Sequence, residues 1–262
     1  MILRLEGLTK RFGGLTAVDG VDLAVEARSV HAIIGPNGSG KTTLFNLVSG
    51  ALAPTSGQIL FDGERIDQRP AHERARLGIK RTFQNIRLFD DLSVLENVLA
   101  GQHPIAITGL SSLYRRWSAK ERAQRDDAME ILGSLGLAGL ARRQASELAY
   151  GEKRLVEMAR AVASRPRLLL LDEPTSGMNP READAVVDAV RRIAAGGMTL
   201  LIIEHHLPVV KDLAARVTVL NFGRKVAEDT PAGVLVHPEV GPESCAHRYI
   251  PAPRRLPGEE TQ

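Results

Sequence analysis

The sequence contains a single cysteine, Cys245, among its 262 residues. One cysteine excludes an intrachain disulfide framework and a multi-cysteine metal site within one chain. This usage is typical of proteins from a reducing compartment, and we interpret Cys245 as an ordinary residue near the C-terminus.

Long hydrophobic runs are also missing from the sequence. No apolar stretch approaches the roughly 20 residues that a membrane-spanning helix needs. The N-terminal residues MILRLEGLTKRFGG lack the apolar core and cleavage pattern of a signal peptide. We therefore expect a soluble or peripheral protein, for which other chains would supply any membrane spans.

An excess of charge of one sign is absent. The formal net charge is only +3 although 25% of the residues are charged, which is too small an imbalance to indicate nucleic acid. We expect a mixed, solvated surface and no nucleic-acid partner. The length allows one large domain or two modest ones with a sizeable core.

The spacing of apolar residues along the sequence divides the chain into three parts. Short β-type runs dominate from Ile2 to about Leu60, with a hairpin turn predicted at Asp62-Gly63. A mostly helical block is predicted from about Phe89 to Ala145, with Ser93 and Ser118 as helix caps. From Tyr150 onward, helices alternate with buried strands, which predicts parallel strands covered by helices on both faces.

The stretch GPNGSGKTT matches the phosphate-binding pattern G-x-x-x-x-G-K-[ST] between a strand and a helix. Its glycines let the backbone wrap a polyphosphate, and its amides and the helix N-terminus favour anions. We expect Lys41 to reach the β- and γ-phosphates and Thr42 to offer a hydroxyl to Mg²⁺. The candidate residues are Gly35, Pro36, Asn37, Gly38, Ser39, Gly40, Lys41, Thr42 and Thr43.

Two further strands end in polar side chains. The apolar run LLLL is followed by Asp172, which is placed to hold a metal, and by Glu173, a candidate general base. The structural alternative is a helix-capping pair at the strand exit. His205, after the strand Leu200 to Ile203, can bind a γ-phosphate or orient water. The pair His205-His206 lacks the spacing and partners of a zinc site.

The stretch LAYGE, which ends at Glu152, opens a helix whose exposed amides form a second anion site. A single subunit has no obvious second phosphate for this site. The stretch therefore favours a dimer in which it reaches the nucleotide of the other chain.

Taken in order, these stretches resemble those of the ATPase subunit of an ABC transporter, up to about Ala232. GPNGSGKTT resembles the Walker A sequence, LLLLDEP the Walker B sequence and SGMNP the D-loop. LAYGE resembles the signature sequence, which implies that Ala149, Tyr150, Gly151 and Glu152 bind the ATP of a partner subunit. His205 resembles the switch histidine.

The resemblance also implies roles for residues outside these stretches. Gln84 of RTFQ would meet the metal and sense the γ-phosphate, Phe12 would stack on adenine, and Val18 would provide an apolar contact nearby. ATP and Mg²⁺ are the implied cofactors. Glu173 and His205 are the implied catalytic residues, and Thr42, Gln84 and Asp172 the implied metal ligands.

The fold implied by the resemblance is α/β, of the P-loop NTPase type found in ABC ATPases. It consists of an antiparallel β subdomain, a RecA-like parallel sheet core and a helical subdomain. We expect the ABC ATPase domain to span residues 1–240, with the helical subdomain inserted at about 89–160. Residues 241–262 are expected to form a short, flexible C-terminal tail.

The stretch RLGIKRTFQNIRLFDDLSVLENVL, together with LAYGE and IEHH, is similar to the ATPases that power branched-chain amino-acid uptake. This similarity implies transmembrane permease subunits, a second ATPase subunit that is paralogous or identical, and indirectly a periplasmic or extracellular substrate-binding protein. The helical block would contact the permease. The expected location is the cytoplasmic face of the inner or plasma membrane.

Three departures from the family pattern stand out. Ala149 replaces the signature serine, His206 replaces the usual aspartate, and the D-loop carries Met178 and Asn179 in place of the more common leucine and aspartate.

Three other functions stay open: the ATPase of a lipid or lipopolysaccharide exporter, a regulatory ABC ATPase acting on ribosomes or DNA, and a nucleotide-gated binding module. The sequence leaves open the transported substrate and the choice between homodimer and heterodimer.

Overall fold

A computed structural model describes residues 1–82, 86–102, 119–237 and 240. The strands of this part of the chain are β1 (Leu3–Phe12), β2 (Leu15–Val25), β3 (Val30–Ile34), β4 (Ser56–Phe61), β5 (Glu64–Arg65), β6 (Ile79–Arg81), β7 (Leu168–Asp172), β8 (Thr199–Ile203), β9 (Arg216–Asn221) and β10 (Arg224–Asp229). The helices are α1 (Lys41–Ser49), α2 (Ala71–Leu77), α3 (Val94–Gln102), α4 (Ala119–Ser134), α5 (Tyr150–Ala163), α6 (Pro180–Ala195), α7 (Leu207–Leu213) and α8 (Pro231–Leu235).

The N-terminal strands form an antiparallel sheet in the order β2-β1-β4-β5. The hairpin between β4 and β5 turns at the predicted dipeptide, where Asp62 has φ 52° and Gly63 has φ 79°. Two consecutive positive φ angles are typical of the tight turns whose twist matches that of the flanking strands.

The second sheet has six strands in the order β10-β9-β3-β8-β7-β6. Its strands pair in parallel except for the edge strand β10, which is antiparallel to β9. The predicted parallel pairing is therefore confirmed. The sheet places β8 directly between β3 and β7, the strands that carry the phosphate-binding loop and the two carboxylates.

Successive residues of the parallel strands face opposite sides of this sheet. Leu169 and Leu171 of β7 pack in a core with α5 and α6, whereas Leu168 and Leu170 pack with α1 and the antiparallel sheet. All four leucines are fully buried. Burial on both faces explains why these strands are continuous apolar runs in the sequence.

The helical block predicted from about Phe89 to Ala145 contains α3 and α4, and α5 follows it before β7. Ser93 caps α3 as predicted: the Glu96 backbone donates to the Ser93 hydroxyl, and the Glu96 carboxylate accepts from the Ser93 backbone. The predicted cap at Ser118 and the tail from 241 to 262 lie outside the described residues. None of the described helices combines the length and apolar character needed to cross a bilayer.

Candidate active site

Three adjacent strands bring the candidate residues to one edge of the parallel sheet. The phosphate-binding loop follows β3, the two carboxylates end β7, and the histidines follow β8. The backbone links these ends, because the Glu173 amide donates to the Ile203 carbonyl at 3.0 Å and the Glu204 amide to the Ile33 carbonyl at 3.3 Å. The carboxyl ends of parallel strands are where ligands of open α/β sheets bind.

Glycines at two positions of the loop press its backbone against neighbouring strands. A Cβ atom on Gly35, which has φ 147°, would lie 2.1 Å from the Leu220 carbonyl oxygen. A Cβ atom on Gly40, at φ 101°, would lie 2.4 Å from the Ala17 carbonyl oxygen. Both distances are shorter than any real contact, so the loop requires glycine at both positions.

The Lys41 side chain folds back over the loop. Its ammonium group donates to the carbonyl oxygens of Gly35 at 2.7 Å and Pro36 at 2.9 Å. Burial lowers the pKa of Lys41, while the nearby carboxylates of Glu173 and Asp172 oppose this shift. The hydroxyl of Ser39 is buried in the same loop without a hydrogen-bond partner among the described residues. Of these two donors, the Lys41 ammonium group borders the open space above the loop and could donate to a bound anion.

A cavity of about 410 Å³ opens above the loop. Six loop residues line it, as do Glu173 and two further segments of the chain. The lining residues are Phe12, Leu15, Thr16, Ala17, Asn37, Gly38, Gly40, Lys41, Thr42, Thr43, Glu173, Phe222 and Gly223.

Phe12 and Val18, the two residues expected near the adenine base of ATP, have different environments. Phe12 lines the cavity with 46% of its surface exposed. Val18 is fully buried in the core beneath the antiparallel sheet and does not line the cavity. Neighbouring residues of a strand face opposite sides, so Ala17 faces the cavity instead. Gln84 lies outside the described residues.

The hairpin between β9 and β10 contributes to the cavity, which the sequence reasoning missed. Phe222 is 85% exposed and has φ 44°, a conformation that is unfavourable for a residue with a side chain. The Gly223 amide donates to the Ser39 carbonyl at 3.0 Å, which ties this turn to the phosphate-binding loop. The only signal in the sequence was Gly223 after an apolar run. That signal did not indicate that the turn lies against the phosphate-binding loop.

Asp172 is buried and ion-paired. Its carboxylate accepts from the Arg81 guanidinium at 2.7 Å through Oδ2, and the same guanidinium donates to the Asn46 side chain at 2.5 Å. Asn46 belongs to α1, so Arg81 connects the end of β7 to the helix that follows the loop. This arrangement fixes the orientation of the Asp172 carboxylate, which does not itself line the cavity.

Glu173 and His205 are brought together as a pair. Oε1 of Glu173 lies 3.8 Å from Nδ1 of His205, and both side chains are partly exposed. Glu173 has φ 46°, a left-handed conformation at the sharp turn that leaves β7. A carboxylate and an imidazole in this arrangement can accept a proton from water and orient an anion.

Residues 149–152 form the start of α5, away from this cavity. Ala149 is the N-cap residue, and its amide donates to the Glu152 carboxylate at 2.9 Å. Ala149 offers no side-chain acceptor to the first-turn amides of α5. Tyr150 is 45% exposed, whereas Gly151 is buried where a Cβ atom would lie 3.0 Å from the Glu182 side chain. None of the four lines the cavity described above.

Comparisons with known proteins agree with this geometry. Residues 18–176 match the ABC transporter family. The chain is 42% identical over 243 residues to the high-affinity branched-chain amino acid transport ATP-binding protein BraF of Pseudomonas aeruginosa, covering 91% of this chain and 95% of the relative.

Two solved structures are similar in fold as well as in sequence. The ADP conformation of MJ1267, an ATP-binding cassette of an ABC transporter, has a TM-score of 0.80 and 38% identity, covering 91% of this chain and 96% of that one. The dimeric structure of MJ0796, a bacterial ABC transporter cassette, has a TM-score of 0.72 and 25% identity, covering 88% and 99%. The chain belongs to the ABC transporter family.

Proposed function

We propose that this chain is the ATP-binding and ATP-hydrolysing subunit that powers an ABC importer. The cargo is a branched-chain amino acid or a related small amide or amino acid. The observation that carries the hydrolytic role is the Glu173–His205 pair beside a cavity lined by the phosphate-binding loop. The cargo class is supported by the name of the relative BraF.

ATP binds with its phosphates on the loop and its base near Phe12. Lys41 exchanges its two carbonyl contacts for phosphate oxygens, which is favourable because charged hydrogen bonds are stronger than those to a neutral carbonyl. The backbone at Gly38 borders open space, because a Cβ atom there would have no other atom within 4 Å. A ligand therefore has room to lie against this backbone. The dipole of α1 adds to the attraction.

The residues beside the phosphates fit Mg²⁺. Thr42 offers an exposed hydroxyl and Asp172 a carboxylate, and oxygen donors are what this hard cation prefers. The remaining carboxylate oxygen of Asp172 is oriented by the ion pair with Arg81. Gln84 is the third ligand that we propose from sequence. When bound, the cation neutralises the charge of the phosphate oxygens.

Hydrolysis depends on the positions of two side chains. Glu173 orients a water molecule for in-line attack on the γ-phosphorus and accepts its proton. The bond from the γ-phosphorus to the bridging oxygen breaks, and that oxygen leaves with ADP. His205, which is held beside Glu173, donates a hydrogen bond to a γ-phosphate oxygen and fixes the geometry of the transition state. Most of the catalytic effect is then positioning and electrostatics.

The active unit is a dimer of ATPase subunits, either two copies or a pair of paralogues. The start of α5 is exposed at Ala149 and Tyr150 and does not line the cavity of its own chain, so it is available to the nucleotide of the partner. A related cassette forms a dimer. Backbone amides replace the serine hydroxyl that is missing at Ala149.

The dimer docks on transmembrane permease subunits at the cytoplasmic face of the membrane. The helical block from about Phe89 to Ala145, which contains α3 and α4, provides the contact. A periplasmic or extracellular binding protein delivers the cargo. Opening of the dimer after hydrolysis is transmitted through this block to the permease.

An affinity pull-down from native membranes tests the assignment. We expect two amino-acid-type permeases and a second ATPase to co-purify, and the preparation to hydrolyse ATP. A Glu173→Gln variant serves as the matched control, because it should recover the same partners without turnover. Recovery of export machinery or of ribosomes would overturn the import role.

A further inference from the structure

We propose that Glu204 is a positioning residue for ATP hydrolysis. Its side chain holds the segment after Glu173 at a fixed distance from the segment that contains His205. This inference rests on the proposed function. Glu204 is fully buried at the end of β8, between the strand and the histidines. A buried carboxylate is costly unless its oxygens are satisfied, so its partners indicate its role.

Both carboxylate oxygens of Glu204 accept hydrogen bonds. Oε1 accepts from the Thr175 hydroxyl at 2.5 Å. Oε2 accepts from the backbone amides of His205 at 3.0 Å and His206 at 3.3 Å. One side chain therefore fixes the backbone of the histidine segment and also a side chain from a different loop.

The two segments that Glu204 joins are those that carry the catalytic pair. Thr175 follows Glu173 by two positions, and His205 follows Glu204 directly. Glu173 has a positive φ, which persists only where the surrounding structure holds it. The carboxylate of Glu204 thus fixes the separation between Glu173 and His205 although it does not line the cavity.

His206 belongs to the same cluster. Its Nδ1 lies 3.4 Å from the Thr175 hydroxyl, and its ring centroid lies 4.4 Å from that of His205. The ring therefore packs between the joined segments.

A positioning role and a merely structural role give different results. If Glu204 only stabilised the fold, its loss would lower the melting temperature while each folded molecule kept its turnover rate. If it positions His205, kcat falls while ATP affinity is kept, because the phosphate-binding loop is untouched. Small displacements of catalytic groups cost large factors in rate.

The test uses the complex purified with its co-purifying subunits. The Thr175→Val variant removes the hydroxyl with little change in volume, and Thr175→Ser keeps a hydroxyl as the matched control. We expect kcat to fall about tenfold in Thr175→Val and to stay within about twofold of wild type in Thr175→Ser. The Kd of a fluorescent ATP analogue should be unchanged in both variants.

The Glu204→Gln variant tests the carboxylate itself. Its amide has one acceptor oxygen for three donors, so we expect a fall in kcat of at least about tenfold at constant Kd. If Glu204→Gln does not fold, the comparison of Thr175→Val with Thr175→Ser tests the positioning role by itself.

Wild-type kcat in Thr175→Val, or equal losses in Thr175→Val and Thr175→Ser, would overturn the positioning role. Failure of the proposed function looks different, because the wild-type complex itself would then bind or hydrolyse no ATP.

Discussion

Oε1 of Glu173 lies 3.8 Å from Nδ1 of His205, although the two residues follow different strands of the parallel sheet. The pair exists because β7 and β8 are adjacent and in register, with Asp172 opposite Ile203. The Glu173 carboxylate lines the cavity, and the His205 imidazole lies next to that carboxylate without lining the cavity itself.

Replacing Glu173 by Gln tests the carboxylate in this pair. The substitution keeps the shape but removes the proton acceptor, so we expect kcat to fall by about a hundredfold or more with nucleotide Kd unchanged. Steady-state ATPase assays and nucleotide titration measure the two quantities. Glu26→Gln, at an exposed carboxylate that does not line the cavity, is the control. ATPase activity near wild type in Glu173→Gln would contradict the assignment.

Replacing Gly35 by Ala tests the packing of the phosphate-binding loop. The new methyl group would meet the Leu220 carbonyl at 2.1 Å, so the loop must shift. We expect the free energy of unfolding to fall by about 2 kcal/mol or more, with loss of nucleotide binding. Gly14→Ala is the matched control, because a methyl group at Gly14 would have no other atom within 4 Å. Equal stability of the two variants in urea unfolding would refute this account.

His31 makes stability depend on pH. Its ring is buried in β3 and shares a hydrogen bond of 2.8 Å with Thr218. Burial lowers the pKa of His31 from 6.5 to about 4, with Glu228 opposing the shift and Arg216 and Lys225 adding to it.

Between pH 6.5 and about 4, the unfolded chain therefore binds a proton at His31 that the folded chain does not. The free energy of unfolding falls as pH is lowered through this window, by about 3 kcal/mol in total from this residue. Urea unfolding at several pH values measures the slope. His31→Gln cannot titrate, so its slope should be shallower than that of the wild type, and identical slopes would disprove the prediction.

Replacing Phe222 by Ala tests the exposed aromatic wall of the cavity. Loss of one aromatic contact should raise the Kd for ATP by roughly threefold to tenfold. Because Phe222 is 85% exposed, the free energy of unfolding should change by no more than about 0.5 kcal/mol. Val236→Ala, 82% exposed and outside the cavity lining, should change neither quantity. An unchanged Kd in Phe222→Ala would remove Phe222 from the nucleotide site.

Local patterns predicted much of the fold. The hairpin turn at Asp62-Gly63 and the cap at Ser93 depend on interactions within a few residues, and both are confirmed. Short segments carried less signal: α2 and β6 span seven and three residues, and neither was predicted. A short segment contains too few positions to show a period.

The sequence by itself determined the chemistry of the site, because the phosphate-binding loop, Asp172, Glu173 and His205 belong to strand ends that local periodicity reveals. Only the tertiary structure decided which groups meet there. Strand order places the Phe222 turn beside the loop, and the alternation of side chains along β2 turns Ala17 to the cavity and Val18 to the core. No local spacing encodes either result. The Phe222 turn reaches the loop because β9 pairs with β3 across a long stretch of chain. Ala17 meets the cavity because the loop at Gly40 packs against it.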